Sequence, residues 1–182
     1  MLLAISFSSV LASPAAEIDR AVKAGGSMNA TIAGPRAFVN AYLAVIARVP
    51  VRDIPTYAAA AVKLRPDLAK QILAASARTA CLGKRQDCDK ELTRIVSAMI
   101  AASPESAGTI VAAAVQLSPG ARQAIITAAI AAAPKQELAI LRAAGDLQTT
   151  AFLDPFWFGS INPKNQAGAE PVVSQEQPPS GP

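Results

Sequence analysis

The chain has 182 residues, enough for one domain with a real core. It is 52% hydrophobic and only 4% aromatic, with alanine the largest share, and its net charge is a modest +4. It has no histidine and two cysteines, so the usual general base is missing and the two thiolates are half of a zinc site at best. Alanine is the best helix former, and small side chains let helices approach closely. The composition therefore predicts an all-α fold of thin, closely packed helices.

The N-terminus reads MLLAISFSSVLASPAAE. An apolar run from Leu2 to Leu11 is followed by small residues, and both Val10-Leu11-Ala12 and Ser13-Pro14-Ala15 fit a small-residue cleavage site. Residues 1–16 thus read as a secretory signal peptide, although no Lys or Arg precedes the run. The competing reading is a buried N-terminal helix. The run is far short of the roughly 20 residues needed to span a bilayer. Residues 17–34 form an N-terminal segment in which Glu17–Ala24 predicts a short helix stopped by Gly25 and Gly26. Asn29-Ala30-Thr31 fits the glycosylation acceptor pattern, a short and often unused one.

From Pro35 the chain repeats. Pro35, Pro50, Pro66, Asp89, Pro104, Pro119 and Pro134 open seven units that run to Gln148, with Asp89 in place of proline in one. Position seven is Ala41, Tyr57, Ile72, Ile95, Ile110, Ile125 and Ile140, once an extra Pro55 in the second unit is allowed for. Position eight is Tyr42, Ala58, Leu73, Val96, Val111, Ile126 and Leu141. Proline cannot continue a preceding helix, excludes the residue before it from the helical region, and is tolerated in a first turn. Each proline therefore ends one helix and opens another. Asp67, Asp89, Glu105 and Glu137 fall in first turns, where negative charge suits the helix end. Helices this short are marginal alone and must pack on neighbours. The expectation is a stack of about seven short antiparallel helices, an α-solenoid, with a compact helical bundle as the alternative. Positions seven and eight should face inward, and Glu105, Ser106, Lys135 and Gln136 should be exposed.

One insertion interrupts the repeat, CLGKRQDC, from Cys81 to Cys88. Two cysteines flanking a short polar loop read as a local disulfide in an oxidising compartment. Asp87, Asp89 and Glu91 are the densest acidic group, which helix capping accounts for.

The unit seen in Pro104–Val115 and Pro119–Ile130 resembles the alanine-rich, proline-punctuated helical repeats of exported bacterial proteins of uncharacterised function. That resemblance spans Pro35 to Gln148 and implies export and helical repeats, but no activity and no site residue.

The repeat domain is taken to run over residues 35–162 and to end in the aromatic segment FLDPFWFGSINP. Phe156, Trp157 and Phe158 either cap the open end of the stack or form a docking site for a partner. Residues 163–182, rich in Pro, Gly, Gln and Glu, read as a disordered tail.

No phosphate loop, nucleophile elbow or free thiol nucleophile is evident, so the chain reads as a non-enzyme with no cofactor and no metal. With no basic cluster interleaved with aromatics, nucleic acid is not an expected partner. Residues 17–94 hold 13 basic and 7 acidic side chains, a net +6. That excess suits acidic partners such as anionic polysaccharide or lipid head groups, or is simply a solvated face. The leading expectation is a secreted, periplasmic or cell-envelope protein with a structural or protein-binding role. The alternative is a helical protein associated with a membrane surface.

Overall fold

A computed structural model describes residues 13–81 and 87–145. Residues 1–12, Phe156, Trp157, Phe158 and the tail at 163–182 lie outside the described residues. Among the described residues the fold is all-α. Its helices are α1 (Pro14–Ala24), α2 (Pro35–Ile46), α3 (Ile54–Leu64), α4 (Ala69–Ala80), α5 (Cys88–Ala102), α6 (Ala107–Leu117), α7 (Arg122–Ala132) and α8 (Glu137–Ala144). Helices α2 to α8 are the seven repeat units. α1 is the helix expected from Glu17, but it starts at Pro14, inside the stretch assigned to the leader.

The ends of α1 follow from its sequence. The Ser13 hydroxyl accepts the Ala16 N–H at 3.3 Å, and Pro14 occupies the first helical position. At the other end Gly26 takes φ +86°, the Gly26 N–H reaches the Lys23 carbonyl at 3.0 Å, and the Ser27 N–H reaches Val22 at 3.2 Å. This glycine-dependent stop consumes two carbonyls that the helix would leave unpaired.

The prolines act through one recurring junction. Arg65, Ser103, Ser118 and Ala133 each precede a proline and share φ near −140° with ψ between 74° and 84°. The N–H of each still closes the helix behind it, on Ala61, Met99, Ala114 and Ala129 at 2.9 to 3.0 Å. The carbonyl of each accepts the N–H three residues ahead, from Leu68, Ser106, Ala121 and Gln136 at 2.9 to 3.2 Å. The proline thus opens a single 3-10 turn, and the α-helix begins after it. Proline suits that place because its missing N–H is not needed there. The α2–α3 connection differs. It runs from Ala47 to Pro50, and Pro50 is the acceptor for the Asp53 N–H at 2.9 Å rather than the first residue of the 3-10 turn.

Each helix packs chiefly on the next two in sequence. α1, α3, α5 and α7 form one rank, and α2, α4, α6 and α8 the other, with sequence neighbours touching between the ranks. Nearest-neighbour packing of this kind is the logic of a repeat stack. α1 belongs to the same core, with Ile18 and Val22 buried in it.

Positions seven and eight lie inside as expected in most units, with Ala41 and Tyr57 of the first two units half-buried. Ile72, Leu73, Ile95, Val96, Ile110, Val111, Ile125, Ile126 and Ile140 are all buried. Leu141 is only half-buried: α8 is the last described helix and packs chiefly on α6 and α7. Ser106 and Gln136 correct the first-turn expectation: Ser106 is buried and Gln136 half-buried, while Glu105 and Lys135 are exposed. The Ser103 hydroxyl donates to Glu105 Oε1 at 2.6 Å, which leaves Ser106 to donate to Ser103 Oγ at 2.9 Å. The junction therefore satisfies its own hydroxyls and can be covered.

Two polar groups enter the core under strict pairing. Arg65, 9% exposed, forms a fork on Asp67 at 2.9 and 2.7 Å, donates to the Ala33 carbonyl at 2.5 Å, and lies 5.6 Å from the Phe38 ring centroid. It pins the loop before α2 to the junction after α3. Deeper in, the Ser76 hydroxyl donates to the Ile72 carbonyl at 2.7 Å, so Tyr42 O–H must donate to Ser76 Oγ at 2.6 Å. Burial pushes the Tyr42 phenol well above its ordinary range, and the Ser76 bond offsets this only in part. The direction of that bond predicts an asymmetry. Tyr42→Phe leaves Ser76 with its own acceptor and should cost about 1 kcal/mol, one net hydrogen bond. Ser76→Ala strands a buried phenol O–H and should cost ~1–3 kcal/mol. Urea unfolding of the two variants checks the order, and a costlier Tyr42→Phe would contradict it.

Candidate functional site

Where the α2–α3 connection departs from the common junction, the surface is concave. An open groove of about 660 Å³ lies between α1, the end of α2 with its connection, and the start of α3. Ala21, Val45, Val49 and Pro50 supply apolar wall, and Glu17, Tyr57 and Asp53 supply polar groups. Tyr57 O–H donates to Glu17 Oε2 at 2.6 Å. That bond, then burial, then the charges of Glu17 and Asp53 push the Tyr57 phenol up to about 12. Near neutral pH the Tyr57 hydroxyl stays protonated and keeps its hydrogen bond to Glu17. Asp53 lies 3.7 Å from Arg52 Nε at an open position.

The two arginines of the groove, Arg20 and Arg48, are both exposed. Neither guanidinium has a hydrogen-bond or ion-pair partner among the described residues. An arginine fork is suited to planar anions, carboxylates above all. The repeat pattern places Tyr57 at inward position seven, yet it is only half-buried and its hydroxyl end lines the groove. Arg20 and Arg48 carry no motif. The one sequence sign of the site is the irregular second unit with its extra Pro55.

Cys81 and Cys88 are joined in a disulfide, with Cα atoms 5.1 Å apart. It links the residue after α4 to the first residue of α5 and so closes the one long insertion in the repeat. The acidic group beside it is largely engaged. Glu91 receives two bonds from Arg94 Nη1 at 3.0 and 2.9 Å, and Asp89 accepts the Ser118 hydroxyl at 2.5 Å. Among the described residues no set of three or more Cys, Asp or Glu side chains is placed to hold a metal.

No single helix among the described residues is long and apolar enough to cross a membrane. The segments Pro119–Ala132 and Pro134–Ala144 reach that length and composition only as a pair bent by 118°. Their isoleucines Ile125, Ile126 and Ile140 are buried within the stack.

Fold and groove together define a two-rank helical-repeat protein with an arginine-lined recess near its N-terminal end. Compared with family models, curated proteins and solved structures, the chain matches none.

Proposed function

We propose that the chain is an exported, non-catalytic helical-repeat protein that binds a protein partner in the cell envelope or extracellular space, akin to alanine-rich repeat proteins of exported bacterial type. The observation that carries the reading is the groove: a concave surface with arginine and tyrosine, the residue types that dominate binding hot spots. The disulfide supports the compartment, since such bonds persist where the surroundings are oxidising. The test is capture from an envelope fraction with the oxidised protein, read by mass spectrometry. A partner retained by the folded chain and lost after unfolding is expected. Retention of nothing, with co-sedimentation on anionic liposomes instead, would replace this reading by membrane-surface association.

Export makes a second checkable statement. The secreted chain should begin between Ser13 and Glu17, and Ser13 is the expected residue. A cut after Ala12 keeps the hydroxyl that caps α1, whereas a cut after Ala15 removes it with Pro14. N-terminal sequencing of the native protein decides. A cytoplasmic chain that retains Met1 would overturn export.

A further inference from the structure

We infer that the loop between α1 and α2 docks the protein on an anionic lipid surface. Met28 and Ile32 enter the headgroup boundary, and Arg36, Lys63 and Lys70 meet the charged headgroups. None of these residues lines the groove, and the inference goes beyond the protein-binding reading without resting on it.

Met28 is 81% and Ile32 65% exposed, two of the three most exposed large apolar side chains among the described residues. They are held out rather than left loose. Met28 directly precedes a tight turn, and Ile32 lies in it. Asn29 Oδ1 accepts the Thr31 N–H at 3.1 Å, the Thr31 hydroxyl at 2.8 Å and the Ile32 N–H at 3.1 Å. The Ala33 N–H closes the turn on the Asn29 carbonyl at 3.2 Å. Asp19 accepts the Ala30 N–H at 2.8 Å, and Arg65 donates to the Ala33 carbonyl, so α1 and the α3–α4 junction both anchor it. Ala30 and Ala33 fill the inward places, which leaves Met28 and Ile32 in water. A tip ordered in advance loses little freedom when it is buried.

The charge around this tip is one-sided with its carboxylates counted. The bond from Arg65 to Ala33 sets the last turn of α3 and the first turn of α4 beside the loop and the start of α2. Asp19 is paired with Lys23 at 2.7 Å, and Asp67 with Arg65 at 2.7 Å. Arg36, Lys63 and Lys70 are exposed and have no hydrogen-bond or ion-pair partner among the described residues. Five cations thus stand against two carboxylates, a net of +3. Glu105, at the next junction along, lowers this only to +2. Glu17 and Asp53 open into the groove instead.

Apolar tip and cations together select the class of anion. A polysaccharide or nucleic acid would satisfy the cations but offers Met28 and Ile32 no apolar medium. A bilayer offers both, anionic headgroups above hydrocarbon, and a projecting tip needs no matching pocket there. Contact is confined to the interface, since no single helix among the described residues is long and apolar enough to cross.

The test is co-sedimentation of the oxidised full chain with two kinds of vesicle. One is phosphatidylcholine alone, the other phosphatidylcholine and phosphatidylglycerol in equal parts. Binding to the second and not the first is expected. Met28→Ser with Ile32→Ser should weaken it about ten-fold or more, and Met28→Leu with Ile32→Leu should bind like the parent. Arg36→Gln, Lys63→Gln and Lys70→Gln together should weaken it about ten-fold or more, since each cation near such a surface is worth about five-fold. Arg48→Gln, Arg52→Gln and Lys90→Gln remove the same charge at exposed positions around the α2–α3 connection and the start of α5. That set should weaken binding about two-fold at most, a screened long-range effect. Circular dichroism confirms that each variant is folded. No sedimentation with the anionic vesicles overturns the inference. So does undiminished binding of the serine variant, or equal weakening by the two charge sets. A chain that ignores vesicles yet still captures an envelope partner loses this surface and keeps the protein-binding reading.

Discussion

Ile110→Ala is expected to lower the unfolding free energy by ~2–5 kcal/mol, the usual cost of a buried isoleucine exchanged for alanine. Ile110 is fully buried on α6, the helix that meets α4, α5, α7 and α8. Its helix also buries Ala107, Val111, Ala113 and Ala114. Alanines have no rotamers with which to fill a void, so relaxation would need whole helices to move, and the cavity cost should be near its upper range. A typical domain has only about 5–15 kcal/mol in total, so the shift will be large in a urea midpoint. Glu105→Ala is the matched control one junction away. Glu105 is exposed but accepts the buried Ser103 hydroxyl, so its alanine variant should lose about 1 kcal/mol, one net hydrogen bond, well short of the Ile110→Ala loss. An unchanged Ile110→Ala together with a collapsed Glu105→Ala would show the repeat register to be wrong.

Removing the disulfide ranks second. Cys81→Ser with Cys88→Ser should cost ~2–3 kcal/mol, the chain-entropy value for so short a closed loop. Every other connection between successive units is held by hydrogen bonds at or near a proline. The α4–α5 connection has no proline, and the covalent bond keeps its ends within 5.1 Å. The loss should therefore appear first as faster amide exchange in the last turn of α4 and the first turn of α5. A serine double variant as stable as the parent would contradict this role. So would two reactive thiols per chain in a denaturing, non-reducing titration.

The periodic part of the fold was legible because two signals agree at each unit. Proline marks the break, and a branched pair seven and eight positions later marks the inward face. Both are local and survive without knowledge of neighbours. Ser106 was misplaced because its burial depends on Ser103 and Glu105 satisfying its hydroxyl, which polarity alone does not reveal. Leu141 follows the pattern but lacks a successor helix among the described residues to complete its cover. The helix at Glu17 was expected, but its true start at Pro14 was obscured by the small residues that also suit a leader peptide. The groove was not legible. Its central bond joins Glu17 to Tyr57 across 40 positions, and its arginines belong to no motif. The aromatic triplet Phe156, Trp157 and Phe158 lies outside the described residues and keeps both of its readings.

The alternation of ranks has a consequence for how such a chain can change length. A unit's parity in the count decides which rank it joins, since α1, α3, α5 and α7 stand together and α2, α4, α6 and α8 stand opposite. Excising a single unit, from one proline to the next, would leave every junction chemically intact. It would nevertheless transfer each downstream helix to the opposite rank, where its branched pair meets a neighbour shaped for the other side. Excising two consecutive units restores parity. Internal growth or shrinkage of this architecture is therefore quantised in helical hairpins, and a lineage or a designer inserting or excising units within the stack must move in steps of two.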